Sequence, residues 1–239
     1  MKHIKLLLLV LLASPVVVMA MEHAQLDSAP IDPTNQASLQ RGARTFVNYC
    51  LNCHSANYMR YNRLLDIGIS EAVIKDNLLF AADKVGDTMQ VAMQKKEAKE
   101  WFGVTPPDLS VEVRARGADW IYTYLRSFYR DEARPTGWNN VTYPNVAMPH
   151  VLWELQGEQA LTIVKHGNNE IKTLSLAKPG MMTIAEYDNM IADLVNYLAY
   201  MAEPAKNKRM GLGILVLLFL SLMFVVTYYL KKEYWKDIH

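Results

Sequence analysis

The 239-residue chain contains two cysteines, Cys50 and Cys53, and a histidine follows the second at once in Cys50-Leu51-Asn52-Cys53-His54. Two thiols separated by two residues can reach one flat partner together, and the adjoining imidazole then lies beneath its centre. This is the spacing of haem attachment: the sulfurs add to the two vinyl groups of one porphyrin as thioethers, and His54 becomes the proximal ligand of the iron. A strained short disulfide or a thioredoxin-like redox pair would use the cysteines but has no need of the histidine. Zinc is served less well, because Cys-x-x-Cys-His offers too few ligands and no second cluster completes a tetrahedron.

A sixth iron ligand has to come from elsewhere in the chain. Most of the 13 methionines are packing material. Met148 is favoured, because Pro144 and Pro149 stiffen the loop that would hold its thioether against the metal. Met181 and Met182 compete, following Pro179-Gly180 just before the last soluble helix. His150 or His166 would give bis-histidine ligation instead. A methionine and histidine pair raises the reduction potential relative to two histidines, which suits a carrier near the high-potential end of a respiratory chain.

These groups need elements to position them. Leu39, Ala43, Phe46 and Cys50 recur at helical spacing, with Gly42 on the neighbouring face where a second helix can approach. Ile191, Leu194, Val195, Leu198 and Met201 make a matching stripe that stops before Pro204. Helices at both ends of a domain around a haem-bearing loop have the outline of a class I cytochrome c. The expected fold class is therefore mainly α, a class I cytochrome c-like haem domain with long inserted loops and one C-terminal transmembrane helix.

Both ends of the chain read as membrane-related. Residues 1–20 carry a basic start, an apolar run from Leu6 to Leu12 and small residues before Met21, the pattern of a cleaved signal peptide; an uncleaved anchor is the alternative. Met210 to Leu230 holds no charge, and its 21 residues at about 1.5 Å each reach roughly 31 Å, the thickness of a hydrocarbon core. Basic residues flank it on both sides, so the export signal decides the orientation. The resulting division is 1–20 signal, 21–205 periplasmic haem domain, 206–209 linker, 210–230 transmembrane helix and 231–239 cytoplasmic tail, in a bacterial inner membrane. Residues 21–205 contain 17 Lys and Arg against 22 Asp and Glu, a formal charge of −5 that the whole-chain value of +1 conceals. Such a surface would steer a basic protein partner and gives no support to nucleic-acid binding, although charge at this level usually serves only solvation.

Taken together these segments resemble the cytochrome c1 family, the haem subunits of ubiquinol-cytochrome c reductase. The likeness rests on Cys50 to Ser55 with Arg60-Tyr61 and Leu64, on Pro106-Pro107-Asp108-Leu109-Ser110, on Arg114 to Tyr122, and on Pro144 to Pro149, in order from about Gln36 to Trp235. It implies one covalently attached haem c, and Met148 as axial ligand, since a further stretch precedes the closing helix in that family. It also implies that Arg116 pairs with a haem propionate and that Pro106 and Pro107 pack against the ring. The plainer readings are a surface ion pair between Arg116 and Asp119, and a stiff loop. The chain departs from mitochondrial members in a shorter stretch between Arg116 and Asp119, and in Trp120 where they tend to have tyrosine.

The resemblance further implies partners: a cytochrome b subunit, a Rieske iron-sulfur protein as donor, a soluble or membrane-bound cytochrome c as acceptor, and membrane lipid. No substrate chemistry of the chain's own is expected, and the sequence shows no phosphate loop, Gly-x-Ser-x-Gly or His-Glu-x-x-His. A monohaem carrier tethered to another oxidase or reductase is the alternative, and a haem peroxidase a more distant one. Ile69 to Trp101 reads as surface helix and loop, and Leu161 to Leu176 carries no clear pattern.

Overall fold

The computed structural model describes residues 26–166 and 169–237, and residues 1–20, expected from the sequence to be a signal peptide, lie outside the described residues. In chain order, α1 (Gln36–Thr45) continues into a π-helical turn over Phe46–Cys50, and β1 (Ala56–Arg60) runs into a 3-10 stretch over Tyr61–Ile67. There follow α2 (Glu71–Asn77), β2 (Thr88–Met89), α3 (Lys95–Phe102), α4 (Glu112–Arg116), α5 (Ala118–Arg126), β3 (Phe128–Arg130), β4 (Trp138–Asn140) and α6 (Trp153–Gln156). A hairpin of β5 (Gly157–His166) and β6 (Asn169–Pro179) leads to α7 (Ile184–Ala202) and then α8 (Lys206–Tyr234). About half of the chain is helical, and among the described residues the strands pair in three antiparallel couples, β1 with β2, β3 with β4 and β5 with β6.

The α1 and α7 helices cross at the centre of the core, as their two apolar stripes require. Asn35 caps α1 by accepting from the Ser38 N–H. Thr183 and Glu186 close a capping box at the start of α7. Gly42 sits at the crossing: a Cβ there would lie 2.1 Å from the Asp193 carbonyl oxygen and 2.7 Å from Tyr197 Cβ, so only hydrogen fits. Phe46 meets Tyr197 with ring centroids 5.7 Å apart, and Arg41 grips the Asp193 carboxylate through Nε and an Nη at 2.6 and 2.9 Å. A second, smaller apolar cluster of Phe128, Trp138 and Val146 lies beside the main one, with Tyr124 and Met148 packed against it.

Two stretches differ from the sequence reading. Within 69–101, Ile74, Leu78 and Met89 are buried in the main core, and β2 pairs with β1 through Ala56 and Met89. These pieces are too short to show a period, yet each drops one apolar side chain onto the core. The 161–176 stretch belongs to the long hairpin, where Ile163, Val164, Ile171 and Leu176 are exposed. The hairpin's base is held to β3 by Gln159, but beyond that the described side chains are mostly exposed on both faces, so no alternation of apolar and polar residues marks it. α8 is one unbroken helix of 29 residues that takes in residues 206–209.

Candidate haem-binding site

The π-helical turn ends at Cys50, and the chain then closes one more helical turn: the N–H groups of Cys53 and His54 both donate to the Cys50 carbonyl, at 3.1 and 2.8 Å. Residues three and four apart on such a turn share a side. Cys50, Cys53 and His54 therefore gather at the end of α1, with both thiols free. A π-helical turn rotates the succeeding residues relative to an α-helical course, so it re-aims this cluster. Burial raises the pKa of both thiols, that of Cys50 to about 12.

The His54 ring is fixed from the other side. Its Nδ1 lies 2.8 Å from the Pro107 carbonyl oxygen. A carbonyl can only accept, so Nδ1 carries the proton and Nε2 keeps its lone pair. Burial depresses the His54 pKa and outweighs the opposing pulls of the Pro107 carbonyl, Glu112 and Asp108, which keeps the ring neutral near pH 7. The segment holding Pro107 is itself clipped to the chain after His54. The Leu109 N–H donates to the Ser55 carbonyl at 2.9 Å, Asn57 N–H to Asp108 Oδ2 at 2.8 Å, and Tyr58 N–H to Ser110 Oγ at 3.0 Å.

Met148 sits half-buried at the edge of the small cluster, and its sulfur accepts from the Tyr124 hydroxyl at 3.3 Å. Its loop is built on two buried asparagines. Asn140 Oδ1 accepts from the N–H groups of Thr142 and Tyr143 and from the Ser127 hydroxyl, while its Nδ2 donates to the Tyr124 carbonyl. Asn139 Oδ1 accepts from Asn140 and Asn145 N–H, and Asn145 adopts the left-handed conformation (φ 63°) that turns the chain toward Val146 and Met148.

The competing ligands occupy other surroundings. Met181 is 80 % exposed, and Met182 packs against the main core. His150 is 3 % exposed, stacked flat on Phe128 (centroids 4.7 Å, 3°) and edge-on to Trp138, with its Nε2 unpartnered. Burial lowers its pKa to about 4. His166 closes β5, and its side chain lies outside the described part of the structure.

Arg116 does not pair with Asp119. Its partner is Glu112 one turn earlier on α4, and its guanidinium lies over Trp120 at 4.4 Å and Tyr143 at 5.7 Å from the ring centroids. Asp119 instead accepts from the Ala29 N–H at 2.8 Å. Pro106 is half-buried and Pro107 exposed, and the visible contribution of the pair is the carbonyl that holds His54. The site residues thus form two groups, Cys50, Cys53, His54 and Pro107 in one, Arg116, Trp120, Tyr124, Tyr143 and Met148 in the other. α5 connects them: its Ile121, Tyr122 and Leu125 belong to the core against which Cys50 packs, and its Trp120 and Tyr124 stack together (5.0 Å, 9°) on the Met148 side.

Comparison with known proteins gives the family. The model of the Cytochrome C1 family matches residues 27–87 and 81–238. The chain belongs to that family. It is 52 % identical to the cytochrome c1 of Allochromatium vinosum over 90 % of each chain. It is 55 % identical, over the full length of both, to a Nitrosomonas europaea protein named ammonia monooxygenase gamma subunit. Similarity to the mitochondrial cytochrome c1 haem protein of Saccharomyces cerevisiae is lower, 24 % over 88 % of this chain and 70 % of that one. As a cytochrome c1 family member the chain is an electron-transfer protein with one covalently attached haem c.

The donor set fits that group. Two free thiols, an imidazole whose Nε2 is left unprotonated by the Pro107 carbonyl, and a thioether held by one hydroxyl are what one haem c with a histidine and methionine pair requires. Sequence reasoning missed Tyr124, Asn139 and Asn140. Tyr124 lies four residues beyond Trp120 on α5, so helical spacing from the Arg114 to Tyr122 segment was the signal available. Nothing local marks the asparagines, whose partners come from loops on either side.

Proposed function

We propose that Cys50 and Cys53 bind the haem c covalently, that His54 and Met148 are its axial ligands, and that the domain is a class I cytochrome c-like fold on the periplasmic side of a bacterial inner membrane. The reading extends to a signal peptide over 1–20, a haem domain over 21–205, residues 206–209 as the lead-in to the membrane, an anchor over 210–230 and a cytoplasmic tail over 231–239. The observation that carries it is the His54 to Pro107 hydrogen bond on the same turn as both thiols. When bound, the iron of such a group alternates between two oxidation states one electron apart.

The chain's own residues supply orientation, shielding and steering. Pro107 fixes the His54 ring and raises the basicity of Nε2. Tyr124 restrains the Met148 thioether, and the Asn139 and Asn140 networks hold its loop. Phe128, Trp138 and Val146 keep water from the Met148 side. Arg116, through Trp120 and Tyr143, offers a cation near that side for a propionate. Pro106 and Pro107 border the His54 side.

In this reading a Rieske iron-sulfur protein delivers electrons drawn from ubiquinol, a cytochrome b subunit anchors the assembly, and a soluble or membrane-bound cytochrome c collects them. The −5 formal charge of residues 21–205 draws a basic acceptor. The second reading is a carrier for a different membrane assembly, favoured by the name of the Nitrosomonas relative. Gentle solubilisation and affinity purification of the full chain separates the two. Cytochrome b and an iron-sulfur subunit co-purifying at equal stoichiometry is the expected result, and their absence beside subunits of an ammonia-oxidising assembly would favour the second. Stopped-flow electron transfer to a basic cytochrome c should slow as salt rises; a salt-independent rate counts against the acidic face as the docking surface.

A further inference from the structure

A cavity of about 430 Å³ opens where the haem domain meets α8, and none of its lining residues belongs to the haem site. Ile31, Val113, Ala118 and Ala202 supply apolar wall, and Arg114, Glu203 and Lys206 supply its charged groups. The charges do not cancel. Glu203 is engaged by Arg209, while Arg114 and Lys206 have no carboxylate partner among the described residues. In a domain whose formal charge is −5, this cavity thus gathers two cations without a carboxylate partner among the described residues. α8 starts at Lys206 without a side-chain cap, so the N–H groups of its first turn add positive potential.

Position narrows the ligand. Only residues 203–205 separate the end of α7, which forms part of the wall, from the first residue of α8. If α8 crosses the bilayer, as the proposed anchor does, the cavity stands at headgroup depth. A free phosphate would leave the apolar wall unused, whereas a lipid uses both the wall and the cations, and the volume lies within the usual range for small-molecule sites. We propose that the cavity binds an anionic phospholipid of the adjacent leaflet, its phosphate between Arg114 and Lys206 and its first acyl carbons against Ile31, Val113, Ala118 and Ala202.

The test uses the full-length, haem-loaded chain in detergent, titrated with phosphatidylglycerol, with phosphatidylcholine and with inorganic phosphate, and read by native mass spectrometry. The inference rests on α8 as a membrane anchor, so a salt wash of membranes is done first: release of the chain into the soluble fraction overturns the anchor and the lipid site with it. With the chain retained, phosphatidylglycerol is expected to bind more tightly than phosphatidylcholine, and R114Q/K206Q to weaken it about thirtyfold, roughly 1 kcal/mol for each cation. K231Q/K232Q, at the opposite end of α8, should leave this binding unchanged. Equal retention of the two lipids, undiminished binding by R114Q/K206Q, or displacement of the lipid by millimolar inorganic phosphate would each overturn the site while leaving the anchor standing. The haem spectrum of each variant verifies that it is folded.

Discussion

The Tyr124 hydroxyl donates to the Met148 sulfur at 3.3 Å, so a residue in the last turn of α5 bears directly on the proposed axial ligand. The donor draws electron density from the thioether, which disfavours the more highly charged oxidised iron. Tyr124→Phe is expected to lower the reduction potential by tens of millivolts, the one-electron equivalent of a hydrogen bond worth about 1 kcal/mol, and potentiometric titration measures it. An unchanged potential would mean that the contact does not persist in the loaded protein.

The ligand assignment separates two methionines with very different surroundings. Met148→Leu should abolish the methionine-to-iron absorption band of the ferric protein. Met181→Leu, at a side chain 80 % exposed, should leave it intact. Loss of the band only at Met181 would reverse the assignment.

Asn140 is fully buried and satisfies four groups around the Met148 loop. Asn140→Ala strands those groups and is expected to destabilise the domain by about 3 kcal/mol. The methionine band should then disappear on heating at a lower temperature than in the unaltered protein. Coincident loss of band and helix in both proteins would assign Asn140 to general stability alone.

At the helix crossing, Gly42→Ala places a methyl group 2.1 Å from the Asp193 carbonyl. Main-chain atoms cannot yield cheaply, so the cost should reach about 3 kcal/mol, the upper end of core overpacking. Circular dichroism melting should show Tm lower by roughly 6–12 °C for a domain of this size.

The capping box makes stability depend on pH in one direction. The Thr183 N–H and, to a lesser extent, its hydroxyl hold the Glu186 carboxyl below its ordinary value of 4.5. Its folded pKa is depressed, so its contribution is complete above the ordinary value and is lost as pH falls through the depressed one. Glu186→Gln should therefore reduce the fall in Tm between pH 6 and pH 3, and Thr183→Ala should cost about 1 kcal/mol at pH 7. A Tm difference between Glu186→Gln and the unaltered protein that stays constant over this range would show that the carboxylate does not contribute through ionisation.

The parts of the molecule legible in the residues are those governed by short spacing. Cys50, Cys53 and His54 lie on one turn whatever the rest of the chain does, and the stripes of α1 and α7 follow from a period of 3.6 residues over ten or more positions. The apolar run of α8 is equally local, because a membrane asks only for length and absence of charge. Gly42 could be placed at a helix approach, but the partner atom, the Asp193 carbonyl, comes from about 150 residues away. The Glu112–Arg116 pair, one helical turn apart on α4, was open to the same spacing argument. Only the tertiary structure decides that Pro107 orients His54, that Ala29 takes Asp119, and that Tyr124 reaches Met148. These contacts join segments that no periodicity relates, and each depends on how α4, α5 and the loops pack against the core. The β5–β6 hairpin escaped the sequence for the opposite reason: with both faces largely in water, nothing selects an alternating pattern, and its register rests on backbone pairing with the Glu158–Lys178 pair at its base.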